Sequence, residues 1–222
     1  MHTNVRRLNL VKNNVKEIFD KKQLKTIPQI IAVTKAFPLK EIIPLLESGH
    51  VHFGENKIQE AEGKWLNVRN QYKNLKLHML GKLQSNKVKK AVQLFDYIHS
   101  LDSKKLALKI NQYEKELNKK IKLFLQINIA EEIQKSGILL NDLDNFYNYC
   151  TKELSLNIIG LMCLPPIDSN SVEYFTLLKR SAAELNLKDL SMGMSSDFEA
   201  ATIKGSTYLR LGTAILGKRS LT

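Results

Sequence analysis

The sequence has few of the residues on which several common classes of protein depend. It contains only two cysteines, Cys150 and Cys163, among 222 residues, and their spacing fits neither a disulfide framework nor a zinc site. No apolar run approaches the roughly 18–20 residues that cross a bilayer, and no apolar signal segment follows the first residues. These absences predict a cytoplasmic protein without a membrane segment, with two reduced thiols.

Glycine and proline are also sparse, with ten and five residues respectively. No linker, low-complexity stretch or break rich in proline and glycine divides the chain. A hydrophobic content of 43% is enough for one sizeable core. We therefore expect residues 1–222 to form a single domain.

Acidic residues are outnumbered, with 22 Asp and Glu against 34 Lys and Arg, which gives a formal net charge of +12. A basic balance can indicate a nucleic-acid partner. Here the excess is dispersed over helical segments, and lysine-rich stretches such as 115–120 also carry acids and asparagine. Aromatic residues are not interleaved with the basic ones, as single-strand binding would favour. A nucleic-acid-binding module is thus an alternative that rests on charge alone, and we expect no nucleic-acid partner.

Short apolar runs alternate with longer amphipathic segments along the chain. The strand-like runs are 29–34, 50–53, 75–80, 96–100, 121–128, 157–163, 189–191 and 207–211. Helical periodicity covers 39–48, 58–72, 85–94, 103–117, 140–153, 171–185 and 198–204, and an extra helix is predicted over 3–20. Alternation of this kind predicts an α/β protein with a parallel sheet. Eight units fit a small (β/α)8 TIM barrel, with a doubly wound open sheet as the alternative.

Lys35 follows a buried β-branched run that Pro28 and Pro38 bound. If the run is a buried strand, desolvation at its end favours the neutral amine, the form of lysine that attacks aldehydes. The simpler alternative is a lysine that extends into solvent from the end of a strand. In a barrel, Lys35 would lie at the C-terminal face, where ligands bind.

Small residues follow the last two predicted strands. Ser195 comes after strand 7, and Gly212 and Thr213 come after strand 8. Backbone N–H groups in such turns can approach a phosphate, and the loops after strands 7 and 8 are the usual phosphate site of this barrel. Arg210, inside strand 8, cannot lose its proton and needs an acceptor, either a carboxylate on a neighbouring strand or a ligand. Asn56, after strand 2, can donate to a ligand oxygen.

Other familiar chemical motifs are missing. The sequence has no Ser-His-Asp order, no paired carboxylates, no metal-ligand cluster, no P-loop and no GxGxxG. His78 lies within predicted strand 3, where we expect it to pack inside the barrel. Glu55 and Glu60 are interpreted as residues that stabilise the first turn of a helix.

Several motifs, in order along nearly the whole chain, together resemble one family. They are IAVTK at 31–35, FGENKIQE at 53–60, HMLGKLQSNK at 78–87, QIN at 126–128, KSGI at 135–138, GLM at 160–162, LSMGMS at 190–195 and RLGTAILG at 210–217. The chain is similar to the YggS/PROSC family of pyridoxal 5′-phosphate-binding proteins, the PLP homeostasis proteins. It departs from the family at Lys57, where relatives have an aromatic residue, and over 129–134, where they have a glycine and a serine.

The resemblance implies a barrel like the N-terminal domain of alanine racemase and a cofactor, pyridoxal 5′-phosphate (PLP), bound to Lys35 through a Schiff base. It also implies that Ser195, Gly212 and Thr213 hold the phosphate, that Arg210 faces the pyridine nitrogen, and that Asn56 lies near the phenolic side of the ring. Arginine at that nitrogen makes a poor electron sink, because aminotransferases place a carboxylate there.

Two functions follow from the resemblance. The first is a non-enzymatic, monomeric carrier or buffer of PLP in vitamin B6 homeostasis, with PLP-dependent apo-enzymes as recipients. The alternative is an amino-acid racemase of weak or narrow activity. Racemisation needs an acid or base on each face of the ring. The sequence ends directly after the eighth unit, without the β-domain that carries the second base in alanine racemases, so we expect the first function.

Overall fold

Eight parallel strands close into a barrel in the order in which they occur along the chain. The protein is described by a computed structural model that covers residues 1–166 and 170–218. The strands are β1 Gln29–Val33, β2 His52–Glu55, β3 Lys76–Met79, β4 Tyr97–Leu101, β5 Lys122–Ile127, β6 Ile158–Cys163, β7 Asp189–Ser191 and β8 Tyr208–Leu211. Because β1 pairs with both β2 and β8, the predicted barrel is confirmed and the open sheet is excluded.

Helices cover the outside of the barrel. They are α1 Thr3–Lys22, α2 Leu39–Glu47, α3 Ile58–Trp65, α4 Val88–Leu94, α5 Lys104–Glu116, α6 Leu143–Asn148, α7 Ser171–Glu184, α8 Phe198–Ile203 and α9 Thr213–Leu216. The first helix, predicted over 3–20, packs against α2, α8 and α9. Its inward stripe includes Leu8, Val11 and Val15, which recur at helical spacing.

Apolar side chains form two separate cores, as expected for strands that bury both faces. The larger core lies between the strands and the helices and includes Phe53, Trp65 and Phe175. The smaller one fills the barrel interior with Ile31, Val33, Leu80, Tyr97, Phe124, Met162 and Tyr208. The interior is therefore packed rather than a pore, and it supports a site at one end.

Most predicted segments differ from the observed elements by one or more residues, and two of these differences concern elements next to the cavity. Strand β2 extends through Glu55 instead of ending at residue 53, because the buried carboxylate is paired with Lys64. Helix α3 ends at Trp65 instead of residue 72, and turns replace its predicted end.

Both cysteines are free and buried, as the sequence predicts for reduced thiols. Burial raises the pKa of each thiol to about 12, which makes them poor nucleophiles. Within residues 1–166 and 170–218, no helix is both long and apolar enough to cross a membrane.

Candidate functional site

One cavity of about 540 Å³ opens at the C-terminal ends of the strands. It is lined by all six residues that the sequence singles out as ligand-binding, namely Lys35, Asn56, Ser195, Arg210, Gly212 and Thr213. They come from the segments after β1, β2 and β7 and from β8 and the turn after it. The barrel thus brings together residues from both ends of the sequence, although a role in holding a cofactor stays a prediction at this point.

Lys35 lies in the turn after β1, two residues beyond the last strand residue, Val33. It is partly exposed at the cavity instead of buried at the end of the strand, so the expected strong desolvation is wrong. Among the residues that the structure describes, none forms an ion pair or a side-chain hydrogen bond with Lys35. The lysine therefore offers an unpaired amine to the cavity.

A buried ion pair holds the turn that carries Lys35. The Lys64 ammonium lies 2.9 Å from Oε1 of Glu55 and donates to the carbonyl of Thr34 at 2.6 Å. The same Glu55 oxygen accepts from the Thr34 hydroxyl at 2.7 Å and from the Trp65 indole at 3.0 Å. Since Thr34 directly precedes Lys35, this network fixes the turn from below.

Glu60 holds the other side of the turn. Its carboxylate accepts from the Ala36 amide at 2.5 Å and lies 2.7 Å from Lys64. Partial burial raises the pKa of Glu60, but the hydrogen bonds from Lys64 and from the Ala36 amide outweigh it, and the net pKa is lowered. Ala36 has φ of 63°, a left-handed conformation that costs energy for any residue other than glycine, so these contacts keep the turn in place.

The sequence interpretation missed this role of Glu55 and Glu60. Both were expected to stabilise the first turn of α3. Glu60 does lie in that turn and holds the turn of Lys35 as well, whereas Glu55 ends β2 and acts on the turn of Lys35 instead. The one available signal was the spacing of Glu60 and Lys64, which are four residues apart on a helix and therefore neighbours.

Asn56 is placed by the close approach of the loop after β3. A Cβ built on Gly81 would lie 2.3 Å from the carbonyl oxygen and 2.8 Å from the Cα of Asn56. Only glycine lets the two backbones pass at this distance, because both contacting atoms belong to the main chain. This explains why a glycine stands at 81 and ties it to the position of Asn56.

We predict that Gly81→Ala lowers the free energy of unfolding by about 1–3 kcal/mol, the usual cost of overpacking, and displaces Asn56. Urea unfolding measures the loss. Gly63→Ala is the matched control, because a Cβ there meets nothing within 4 Å. In the middle of a helix that change should raise stability by about 0.5–1 kcal/mol. Equal stability of the two variants would contradict the prediction.

The loops after β7 and β8 are joined through Ser195, whose hydroxyl accepts from the amide of Ala214 at 3.1 Å. Gly212 lies beside them on the cavity wall. A Cβ there would come no closer than 3.7 Å to the carbonyl oxygen of Val33, and φ of −101° is open to any residue. Because packing does not require a glycine at 212, its effect is to leave bare backbone facing the cavity.

Arg210 enters the cavity from β8 with only 5% of its surface exposed. Its guanidinium donates to the Ser191 hydroxyl at 2.7 Å and to the Cys163 carbonyl at 2.8 Å. The structural alternative in the sequence, a carboxylate on a neighbouring strand, is wrong for the described residues, since none lies within 4 Å. Burial lowers the pKa of Arg210, an effect that Asp197 opposes from beyond ion-pair distance. Because arginine stays a cation, a buried positive charge with no carboxylate within 4 Å among the described residues faces the cavity.

A second lysine, Lys135, also lines the cavity and lies 2.5 Å from a carboxylate oxygen of Glu132. The described side chains around the cavity include no histidine, tyrosine, cysteine or carboxylate. Among residues 1–166 and 170–218, no cluster of three potential metal ligands occurs. The arrangement offers one unpaired amine, one buried cation, hydroxyl groups and bare backbone, which suits a phosphorylated ligand with a carbonyl group.

Comparison with known proteins supplies the family context. The profile of the family described as "Alanine racemase, N-terminal domain" matches residues 7–220. The pyridoxal phosphate homeostasis protein of Pasteurella multocida strain Pm70 is 34% identical over 201 residues, which cover 86% of each chain.

Solved structures agree with this match. PipY of Synechococcus elongatus PCC7942, with PLP bound, is 36% identical with a TM-score of 0.80, over 91% of this chain and all of that one. Alanine racemase of Clostridium difficile 630 is 15% identical with a TM-score of 0.74, over 99% of this chain and 57% of that one. The second match shows a shared fold alone.

Proposed function

Because this chain belongs to the pyridoxal phosphate homeostasis family, within the family of alanine racemase N-terminal domains, we propose that it binds pyridoxal 5′-phosphate and takes part in its homeostasis. The observation that carries the proposal is the cavity, where the unpaired amine of Lys35 and the buried cation of Arg210 line the same space as the bare backbone of Gly212. Each of the three matches a different part of the cofactor.

The donor groups of the cavity fit this cofactor. Lys35 would hold it by the aldehyde carbon, while Ser195, Gly212 and Thr213 would surround the phosphate. Arg210 would donate to the ring nitrogen and Asn56 would lie on the phenolic side. When bound, PLP supplies an aldehyde that a lysine amine holds reversibly.

The chain's own residues favour carriage over catalysis. Arg210 only donates hydrogen bonds, so it would keep the atom that it faces unprotonated, which weakens the electron sink that amino-acid chemistry needs. Racemisation also requires a second acid or base. Among the described residues of the cavity wall, Lys135 is the other ionisable amine besides Lys35, and it is paired with Glu132. We therefore propose a carrier or buffer without robust catalysis, which hands PLP to PLP-dependent apo-enzymes. Its cytoplasmic location and monomeric state remain predictions from the sequence.

A titration of the purified protein with PLP tests the proposal. We expect wild type to develop the yellow absorbance of lysine-bound cofactor, and Lys35→Ala to lose it. Lys135→Ala is the matched control, because that lysine lines the same cavity but is paired with Glu132, and it should keep the band.

Two outcomes would contradict the proposal. Wild type that stays colourless with excess PLP would exclude cofactor binding. An absorbance band that survives in Lys35→Ala and disappears in Lys135→Ala would mean that Lys135, and not Lys35, holds the cofactor. Proton exchange at the α-carbon of free amino acids by the loaded protein would contradict only the carrier role.

A further inference from the structure

A line of hydrogen-bonded side chains crosses the inside of the barrel below the cavity. Ring nitrogen Nδ1 of His52 lies 2.9 Å from Nε2 of His78, and Nδ1 of His78 lies 3.0 Å from Nε2 of His99. Nδ1 of His99 then lies 2.8 Å from the Ser191 hydroxyl. This hydroxyl is the group to which Arg210 donates, so the line ends on the cation of the cavity.

The line spans the barrel from one mouth to the other. His52 is the first residue of β2 and is partly exposed at the N-terminal end. His78, His99 and Ser191 are fully or almost fully buried, on β3, β4 and β7. Aromatic rings hold the two inner imidazoles, since Tyr97 stacks on His78 and Phe124 stacks on His99, each with ring centroids 4.2 Å apart.

Because Arg210 can only donate, it determines which atom is the donor in each hydrogen bond of this line. A guanidinium only donates, so the Ser191 oxygen accepts from it. The Ser191 hydrogen is buried and needs an acceptor, and Nδ1 of His99 is the nitrogen in reach. His99 then carries its proton on Nε2 and donates to His78, which in turn donates to His52 from its own Nε2.

We infer that Ser191 and His99 are positioning residues for Arg210, and that His78 and His52 complete a single hydrogen-bonded chain in which every donor points away from the cavity. The chain fixes the guanidinium at the site by giving it a neutral, oriented acceptor where a carboxylate would compete with the ligand. The inference rests on the proposed function only in that Arg210 faces the bound cofactor.

The electrostatics of the interior agree with neutral imidazoles. Burial lowers the pKa of His78 and of His99 well below the usual value, with neighbouring histidines and, for His99, Arg210 adding to it. At the open end, burial and then Lys76 lower the pKa of His52 to about 4, against an opposing effect of Asp96. A charged imidazole in this line would face Arg210 across a few ångströms of low-dielectric core.

Nitrogen NMR of the histidine side chains tests the inference on unliganded protein at neutral pH. We expect His52, His78 and His99 all to be the Nε2–H tautomer, with Nδ1 of each as acceptor. A proton on Nδ1 of His99 would overturn the inference, because Ser191 could then not donate to it. This measurement uses the wild-type chain and does not depend on cofactor binding.

A pair of serine variants tests the positioning role. Ser191→Ala removes one of the two acceptors of Arg210 and leaves the Cys163 carbonyl. Ser100→Ala removes an equally buried hydroxyl on β4 that has no hydrogen-bond partner among the described residues. We expect Ser191→Ala to shift the Nδ1 signal of His99 and to move the absorbance maximum of the bound cofactor. It should also weaken PLP binding about tenfold, which is equivalent to about 1.4 kcal/mol for one lost hydrogen bond to a charged group. Ser100→Ala should change none of these.

The two hypotheses fail in different ways. If wild type binds no PLP, the proposed function is wrong, and the histidine tautomers alone decide whether the hydrogen bonds of the line run in the inferred direction. If wild type binds PLP but Ser191→Ala matches Ser100→Ala in affinity and absorbance maximum, the positioning role is wrong and the proposed function stands.

Discussion

Replacing Glu55 by alanine should lower the free energy of unfolding by about 3–5 kcal/mol, the range found when one partner of a buried ion pair is removed. The Glu55 side chain is fully buried and Lys64 is 11% exposed. Without the carboxylate, the Trp65 indole N–H loses its acceptor in the core, and an unpaired buried donor is costly. Urea unfolding at neutral pH measures the loss.

Glu55→Ala should also disturb the position of Lys35. Glu55 accepts from Thr34, directly before Lys35, and it steadies the Lys64 ammonium that binds the Thr34 carbonyl. We therefore expect weaker PLP binding in Glu55→Ala even at temperatures where the variant is folded. Glu55→Gln, which keeps one acceptor oxygen, should lose less stability than alanine.

Glu62→Gln is the control, because Glu62 pairs with Lys90, whose side chain is 51% exposed. Surface pairs contribute about 0–1 kcal/mol, so this variant should stay close to wild type. If Glu55→Ala were as mild as Glu62→Gln, the network would not hold the turn in the way that we describe.

Mild acid should unfold this protein because several buried histidines are neutral in the folded state. Burial, with smaller effects of Lys12 and His52, lowers the pKa of His50 to about 3 from its ordinary value of 6.5. The pKa values of His78 and His99 are also well below that value. Below pH 6.5 the unfolded chain binds these protons and the folded chain does not, so the stability present at neutral pH is lost as the pH falls towards the folded-state values.

The expected size follows from linkage. Each such histidine removes about 1.4 kcal/mol of stability per pH unit. His52, whose pKa is lowered to about 4, adds to the other three, so the four together remove about 5–6 kcal/mol per unit. Burial raises the pKa values of Asp102 and Asp189 from 3.8, which opposes the loss only in a lower pH range. Domains commonly have 5–15 kcal/mol of stability, and we expect unfolding between about pH 6 and pH 4.

Urea unfolding at several pH values measures how much the free energy of unfolding falls per pH unit. A variant of His50 tests how much of this slope comes from that histidine. His50→Leu should reduce the slope by about 1.4 kcal/mol per pH unit. A stability that stays constant from pH 7 to pH 5 would mean that the histidines are not held neutral.

The sequence predicted the features of the fold that depend on local pattern. Eight apolar runs that alternate with amphipathic segments were enough for the barrel, and position at a strand end was enough to group Lys35, Asn56 and Ser195 on one face. Glu55 was misread because its partners, Thr34 and Lys64, lie on other elements, and their proximity exists only after folding. From the sequence alone, a charged residue such as Glu55 at the end of an apolar run is interpreted as lying beyond the end of the strand.

The histidine line shows the same limit. His78 was expected to pack inside the barrel, and it does, fully buried. Its bonds to His52 and His99 join three strands and depend on their register, since His52 pairs with Lys76 and His78 with Tyr97 along the neighbouring strands. Register is set by barrel closure, which no local pattern specifies.

The cavity straddles the seam where the first and last strands of the barrel meet. Ile31 of β1 pairs with Arg210 of β8, and Lys35 and Ser195 are some 160 residues apart in the chain. The amine of Lys35 therefore leaves the ribosome long before the residues proposed to cradle the phosphate, and the pocket first exists when the two ends of the sheet have joined. A cofactor bound across that seam would hold the barrel closed, because a ligand that binds only the closed ring stabilises it by an amount that grows with the logarithm of the ligand concentration above its Kd.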